Sequence, residues 1–287
     1  MNKNLQYDLL NIAKEIVKDN DKVRRNRIKF CMKVMNKKYR FYDIFENKDI
    51  LNIKRETCKL WSCPVCSNFK VKHLSIDINN NINNHLKDKN NSIIHISLNF
   101  PFKQEISLNK ALHLQQKTFS WIKNQRSDKR IVYKDLIKDV ESECTFIITN
   151  IKYNYNETTF FNGWKPSFEL FFLCKKQDKY KITYIKEQLT KLLIKGYRKN
   201  KGVINSINLF RKEVITIHQY LINEDNVFIG SLIEKCLTEH KIKKELLTPF
   251  SMLYLILKKH EHSKIFKKLF CEYLNIDRFH IIKKTIP

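Results

Sequence analysis

The sequence predicts an α+β fold, with a central antiparallel sheet carrying helices on one face, an N-terminal zinc knuckle and a helical C-terminal cap. Three observations carry this. The middle of the chain alternates strand and helix signals in the order β-α-β-β-α-β. Both ends place apolar residues at helical spacing. Three cysteines, Cys58, Cys63 and Cys66, crowd into one short segment.

The elements follow in order. Residues 4–18 put Leu5, Leu9, Ile12, Ala13 and Ile16 on one stripe, the mark of an amphipathic helix. Residues 28–66 hold the first cysteines and short strand-like pieces, and 67–88 read as a helix. The polar runs Asn79 to Asn84 and Lys87 to Asn91 read as a loop and a boundary. Residues 92–99, SIIHISLN, are β-branched and bounded by Asn, which predicts a strand. Residues 107–123 predict a helix with Ser107 as N-cap and Leu108, Ala111, Leu112, Gln115, Phe119 and Ile122 on one face. Strands follow at 145–155 and 167–174, joined by a loop over 156–165. A helix over 184–198 turns Ile185, Leu189, Leu192 and Leu193 inward. Residues 203–210 read as a further strand, and 211–222 as a strand or a helix. From 229 the pattern is helical, with Ser231 and Glu234 as a capping box and an amphipathic stretch over 250–274. The expected division is 1–90, 91–225 and 226–287.

Hydrophobic residues make up 43% of the 287, which excludes a disordered chain. Lys and Arg number 55 against 29 Asp and Glu, a net charge of +26 spread along the whole length. AT-rich coding also raises Lys, Asn and Ile. Even so, a folded chain with this field attracts polyanions, and nucleic acid is the leading partner. The sequence has no apolar window of about 18 residues, so no membrane is expected as a partner. The N-terminus lacks a signal-peptide pattern, so the chain is expected in the cytoplasm with its eight cysteines reduced. There a cysteine cluster points to metal before disulfide.

The cluster reads Cys58-x4-Cys63-Pro64-Val65-Cys66. A C-x2-C pair presents two thiolates to one ion, and tetrahedral zinc needs four ligands. Cys31 is the fourth ligand of choice, with His73 as its competitor. Four protein ligands leave no open position, so Zn²⁺ here is structural. Cys144, Cys174, Cys236 and Cys271 stand alone in apolar stretches and read as core.

Several segments together resemble one family, the rolling-circle replication initiators of small bacterial plasmids, within the His-hydrophobe-His endonuclease superfamily. Arg27-x3-Cys31 followed by the Cys58 to Cys66 cluster resembles its cysteine-rich segment. Ile93-Ile94-His95-Ile96-Ser97-Leu98-Asn99 resembles its first motif. Gly163-Trp164-Lys165-Pro166-Ser167-Phe168-Glu169-Leu170 resembles its W-H-P-H-x-H-L motif. Glu213 to Asp225, with His218-Gln219-Tyr220, resembles its tyrosine motif. The resemblance implies a protein that binds the plasmid origin and nicks one strand. Tyr220 matches the nucleophile, and a divalent ion, Mg²⁺ or Mn²⁺, would polarise the phosphate. The implied partners are plasmid origin DNA, single-stranded DNA and a host helicase or polymerase. Lys165, Trp164, Arg198, Lys199 and Lys201 are the expected DNA contacts.

The chain departs from the family at its metal motif. Lys165, Ser167 and Glu169 stand where the family has three histidines. Glu169 is a competent oxygen ligand, Ser167 a poor one, and Lys165 repels a cation. His95 offers an imidazole from the neighbouring strand. Gln219 replaces the family's Lys beside the tyrosine. Two readings stay open: a nickase with an unusual metal site, or a DNA-binding protein that has lost cleavage. A zinc-bearing RNA-binding protein fits charge and cysteines equally well, with Trp164, Phe168, Tyr153 and Tyr155 as stacking rings or as core. A transcriptional regulator, with 229–287 as a helix-turn-helix reader, is the third class.

Overall fold

The computed structural model describes residues 3–18, 27–43, 48–55, 57–99, 107–124, 144–154, 163–200, 215–221, 246–258, 263–274, 276 and 279–283. In chain order these form α1 (Lys3–Lys18), α2 (Arg27–Phe30), β1 (Val34–Asp43), β2 (Lys48–Arg55), α3 (Pro64–His85), β3 (Asn91–Asn99), α4 (Leu108–Asn124) and β4 (Cys144–Asn154). Then come β5 (Trp164–Lys175), α5 (Lys179–Lys199), β6 (Ile215–Tyr220), β7 (Leu246–Leu247), α6 (Pro249–Lys258), α7 (Ser263–Tyr273) and β8 (Phe279–Lys283). The fold is α+β. The chain divides into two units, Met1–Lys70 with Met252–Ile276 and Val71–Ser251 with Asp277–Pro287.

In the first unit α1 buries Leu9, Ala13, Ile16 and Val17, an i, i+4, i+7, i+8 stripe. It packs against α2 and α7. α7 buries Phe266, Leu269, Phe270 and Tyr273. The strand-like pieces expected before residue 66 form an antiparallel hairpin, β1 with β2.

In the second unit the central block folds in the order the sequence predicts. Its strands run β6-β3-β5-β4, every pair antiparallel. Of the range 211–222, left open between strand and helix, the described part forms the strand β6, Ile215–Tyr220. One sheet face carries Ile94, Ile96, Leu98, Ile147, Phe168, Leu170 and Phe172, against Phe119 and Ile122 of α4 and Ile185, Leu189 and Leu193 of α5. Burying each such side chain contributes about 1.5–3 kcal/mol. α4 and α5 approach closely at Gly196, where an added Cβ would lie 2.6 Å from Trp121 Cε3.

Two expectations need amending. The Asn79 to Asn84 run is not a loop, since α3 continues through it to His85. Val71, Ile78 and Ile82 are buried at helical spacing there, and that burial overrides the weak helix propensity of Asn. At the end of α3, His85 Nε2 donates to the carbonyls of Ser92 at 3.2 Å and Cys174 at 3.1 Å, and Asn91 Nδ2 donates to His85 O at 2.8 Å. The C-terminal region supplies the helices expected over 250–274, as α6 and α7. It also supplies two strands that the helical pattern hid: β7 and β8 both pair with β4 at the sheet edge. The strand expected over 203–210 and the Ser231–Glu234 capping box lie outside the described residues.

Candidate metal centre and the polar face of the sheet

Cys31 follows α2, Cys58 follows β2, and Cys63 and Cys66 flank the first turn of α3. All four are buried, and their Sγ atoms lie within 4.8 Å of one another. Cys31 Sγ is 3.7 Å from that of Cys63 and 3.4 Å from that of Cys66, and the Cys58 and Cys66 sulfurs are 3.5 Å apart. A tetrahedral ion with sulfur bonds of about 2.3 Å has sulfur–sulfur edges of about 3.8 Å. The observed separations match that edge, and they far exceed a disulfide bond of about 2.05 Å. The four cysteines can therefore hold one metal ion. The sequence named these four. Its competitor, His73, is exposed on α3.

The local backbone is shaped around the sulfurs. Cys66 N–H donates to Cys63 Sγ at 3.4 Å, the geometry of a C-x2-C knuckle. Met32 and Lys59, each immediately after a cysteine ligand, sit at φ 63° and 54°. Left-handed backbone at such residues costs about 1–3 kcal/mol and persists where surrounding structure enforces it. Ser62 Oγ donates to Leu274 O at 2.9 Å, which ties the knuckle to the end of α7. Packed this closely, the thiols compete for protons. Hydrogen bonds from Cys31, Cys58 and Cys63 hold the Cys66 thiol far below its ordinary value. The hydrogen bond with Cys31 is the first cause pushing Cys58 and Cys63 up.

One prediction arises directly from this backbone. Lys59→Gly is expected to leave metal content unchanged and add about 1 kcal/mol of stability by relieving strain, seen as a higher thermal midpoint. Lys59→Val is expected to lower it. A calorimetric scan of both variants checks this. A destabilised glycine variant with full metal content would contradict the strain reading.

The second cluster lies on the sheet face opposite α4 and α5. Cross-strand register puts Ser97 opposite Glu169, His95 opposite Phe171 and Asn99 opposite Ser167. The β3–β6 register puts His218 opposite His95, Thr216 opposite Ser97 and Tyr220 opposite Ile93. Strand alternation then sets His95, Ser97, Ser167, Glu169, His218 and Tyr220 on one face.

Glu169 is the centre of this row, at 7% exposure. A carboxylate accepts only, so its three partners donate. His95 Nε2 donates to Oε2 at 2.8 Å, while Ser97 Oγ at 3.1 Å and Ser167 Oγ at 2.9 Å donate to Oε1. Burial alone would raise this carboxyl. The hydrogen bond and charge of His95, followed by Ser167 and Ser97, outweigh it and hold the group below the usual carboxylate range. The His95 ring stacks on Phe171 at 4.5 Å and 7°. Its centroid is 6.3 Å from those of His218 and Tyr220. Tyr220 thus shares the face of Ser167 and Glu169. Its backbone lies two strands across from both, four residues along from Glu169 and six from Ser167, on the order of 16 Å from Glu169 by strand rise and spacing.

The donor set does not fit Mg²⁺ or Mn²⁺. Such an ion wants about six oxygen ligands in near-octahedral array. Both Glu169 oxygens are engaged, Ser167 spends its proton on the same carboxylate, and Lys165 is an exposed cation. Among the described residues the four cysteines are the single grouping of three or more His, Cys, Asp or Glu able to hold a metal.

Three of the rings weighed for stacking lie in the core instead. Trp164 is 1% exposed, edge-on to Tyr153 at 5.1 Å, so it presents no ring to nucleic acid. Phe168 and Tyr153 are buried with it. Tyr155 and Lys201 lie outside the described residues. Arg198 and Lys199 are exposed at the end of α5, and Lys199 Nζ stands 5.8 Å over the Trp121 ring. Cys174 is buried core, as expected, while Cys271 is half-buried. No described helix is long and apolar enough to cross a membrane.

Sequence reasoning missed Ser97 and Phe171 as parts of the polar row. The alternation of His95-x-Ser97 and Ser167-x-Glu169 was visible, but their pairing needs the strand register. Comparison of the chain with protein-family models, with curated proteins and with solved structures finds no match.

Proposed function

We propose that this chain is a zinc-stabilised replication protein of the plasmid-initiator kind, one that holds origin DNA and its opened strands without cutting them. The observation that supports this most is the polar row itself. Residues standing in the initiator motifs, His95, Ser167, Glu169 and Tyr220, share the sheet face opposite α4 and α5, yet Glu169 is sealed by three donors. That arrangement favours ancestry with an endonuclease over an active one.

Each part has a physical role in this reading. The tetracysteine donor set suits zinc, which prefers soft sulfur in a closed tetrahedron and there supplies rigidity rather than reaction. The net charge of +26 supplies affinity through phosphate contacts. Lys165, Arg198 and Lys199 are exposed cations placed to make such contacts.

The test is salt dependence. Fluorescence anisotropy of the full chain with labelled duplex and single-stranded DNA should show affinity falling steeply with salt. Four neutralised phosphates at a slope near −0.9 each give about a hundredfold loss between 50 and 200 mM. Undetectable binding at low salt, or affinity indifferent to salt, would remove the nucleic-acid reading.

A second reading, an RNA-binding module, draws on the βαββαβ order and the aromatic row His95, Phe171, His218 and Tyr220. Sheets of this order bind RNA by stacking bases on face aromatics. Of the four, only His218 and Tyr220 are open to solvent. Tighter binding of RNA than of DNA with the same sequence would favour this reading.

A further inference from the structure

Two exposed tyrosines stand at the start of α5. Tyr180 is 89% exposed and Tyr184 is 39% exposed. Buried tyrosines elsewhere in the chain, such as Tyr153, Tyr197 and Tyr273, pack their rings. The Tyr180 ring contributes nothing to the core, Tyr184 keeps an open edge, and exposed aromatic rings can mark an interaction surface.

Their surroundings are basic. The β3–β5 register sets Asn91 opposite Lys175, and Lys176 N–H donates to Asn90 O at 2.7 Å. That bond brings the loop with Lys87 and Lys89 alongside Lys176 and Lys179, and all four lysines are exposed. Two aspartates lie among them. Asp88 Oδ1 accepts from Asn90 N–H at 2.9 Å, and Asp178 Oδ1 accepts from Lys181 N–H at 2.7 Å. Both carboxylates are thus turned to the backbone, and the patch keeps a positive excess.

We infer that this patch, Lys87, Lys89, Lys176, Lys179, Tyr180 and Tyr184, is a contact surface for single-stranded nucleic acid. Residues four apart on a helix are offset by about 6 Å along its axis. Stacked bases repeat at about 3.4 Å, so one unpaired base takes about that room between two rings. Lysines on the adjoining loop hold the phosphates on either side. A duplex hides its base faces and gains only the phosphate contacts. The inference rests on the nucleic-acid reading above and adds to it the place and the strandedness of contact, apart from the polar sheet face.

The experiment uses the metal-loaded full chain and a labelled 12-nucleotide mixed-sequence strand, with its duplex as control. The Tyr180→Ala/Tyr184→Ala variant is expected to lose about tenfold in affinity for the strand, the scale of one stacked base. It should lose less than twofold for the duplex, with the salt slope unchanged. The Tyr180→Phe/Tyr184→Phe variant keeps the ring faces and should bind as wild type does. The Lys176→Glu/Lys179→Glu variant should weaken both and flatten the single-strand slope by about 0.7 for each phosphate lost. Wild-type binding with an unaffected alanine variant overturns this surface alone. An equal loss on strand and duplex, or a phenylalanine variant as weak as alanine, overturns the stacking role. A wild-type chain that binds neither nucleic acid, and binds only acidic vesicles or acidic protein, overturns this inference and the reading beneath it together.

Discussion

Cys63→Ser is expected to strip the metal and unfold the segments it pins, while the sheet of the second unit survives. Serine keeps the size of cysteine but supplies no thiolate. Cys63 also closes the C-x2-C knuckle and starts α3. Structural zinc in small finger peptides contributes about 10–16 kcal/mol at neutral pH. A domain's net stability is about 5–15 kcal/mol, so loss of one ligand can exceed what the first unit has in reserve. Metal content should fall from about one ion per chain to near none. Amide protection should vanish over residues 27–33 and 57–70 and persist in β3 and β5. Cys174→Ala is the control. That thiol is buried, pushed up to about 11 by burial, and stands outside the cluster, so the variant should keep its metal. A chelated wild-type chain that stays fully protected would remove the structural role from the cysteine centre.

The second large effect is expected at Glu169. Glu169→Ala leaves His95, Ser97 and Ser167 buried with their shared acceptor gone. Leaving buried donors without their acceptor in this way costs about 1–3 kcal/mol for each group. The sign of its pH dependence follows from the lowered carboxyl. In the acid range the unfolded chain takes up the proton first, so stability rises with pH there. The contribution of Glu169 is fully present above about pH 4.3, the ordinary value for glutamate. It is lost as pH falls through the lower folded value. Urea midpoints of wild type and Glu169→Ala should therefore lie far apart at pH 7 and converge below pH ~4. A gap that stays constant to pH 3 would mean that the carboxylate's charge contributes nothing.

Parts of this were legible in the sequence because they depend on local spacing. The C-x2-C pair and its two companions predicted a four-sulfur site. Cys31, 32 positions before Cys63, was reached by a different route, because a tetrahedral ion with three sulfurs needs a fourth ligand. The βαββαβ order was legible for the same reason, since each strand and helix announces itself within about ten residues. What failed depends on partners distant in sequence. The Asn79 to Asn84 run looks like a loop until Ile78 and Ile82 find a core. Trp164 looks like a nucleic-acid contact until register sets it opposite Tyr153. The Glu169 cluster joins residues 72 and 74 positions apart, and only strand pairing reveals that Ser97 and His95 both serve it. β8 is five residues, Phe279–Lys283, following a helix and too short for periodicity to separate from its neighbour.

On the proposed reading, this chain grips nucleic acid through a basic, metal-pinned fold whose sheet face does not cut. Incubating the full chain with labelled single-stranded DNA and Mn²⁺, then resolving it under denaturing conditions, tests that most directly. Every labelled strand is expected to run free, although a salt-sensitive complex forms before denaturation. A labelled band that persists on the denatured protein, and disappears in Tyr220→Phe, would contradict it.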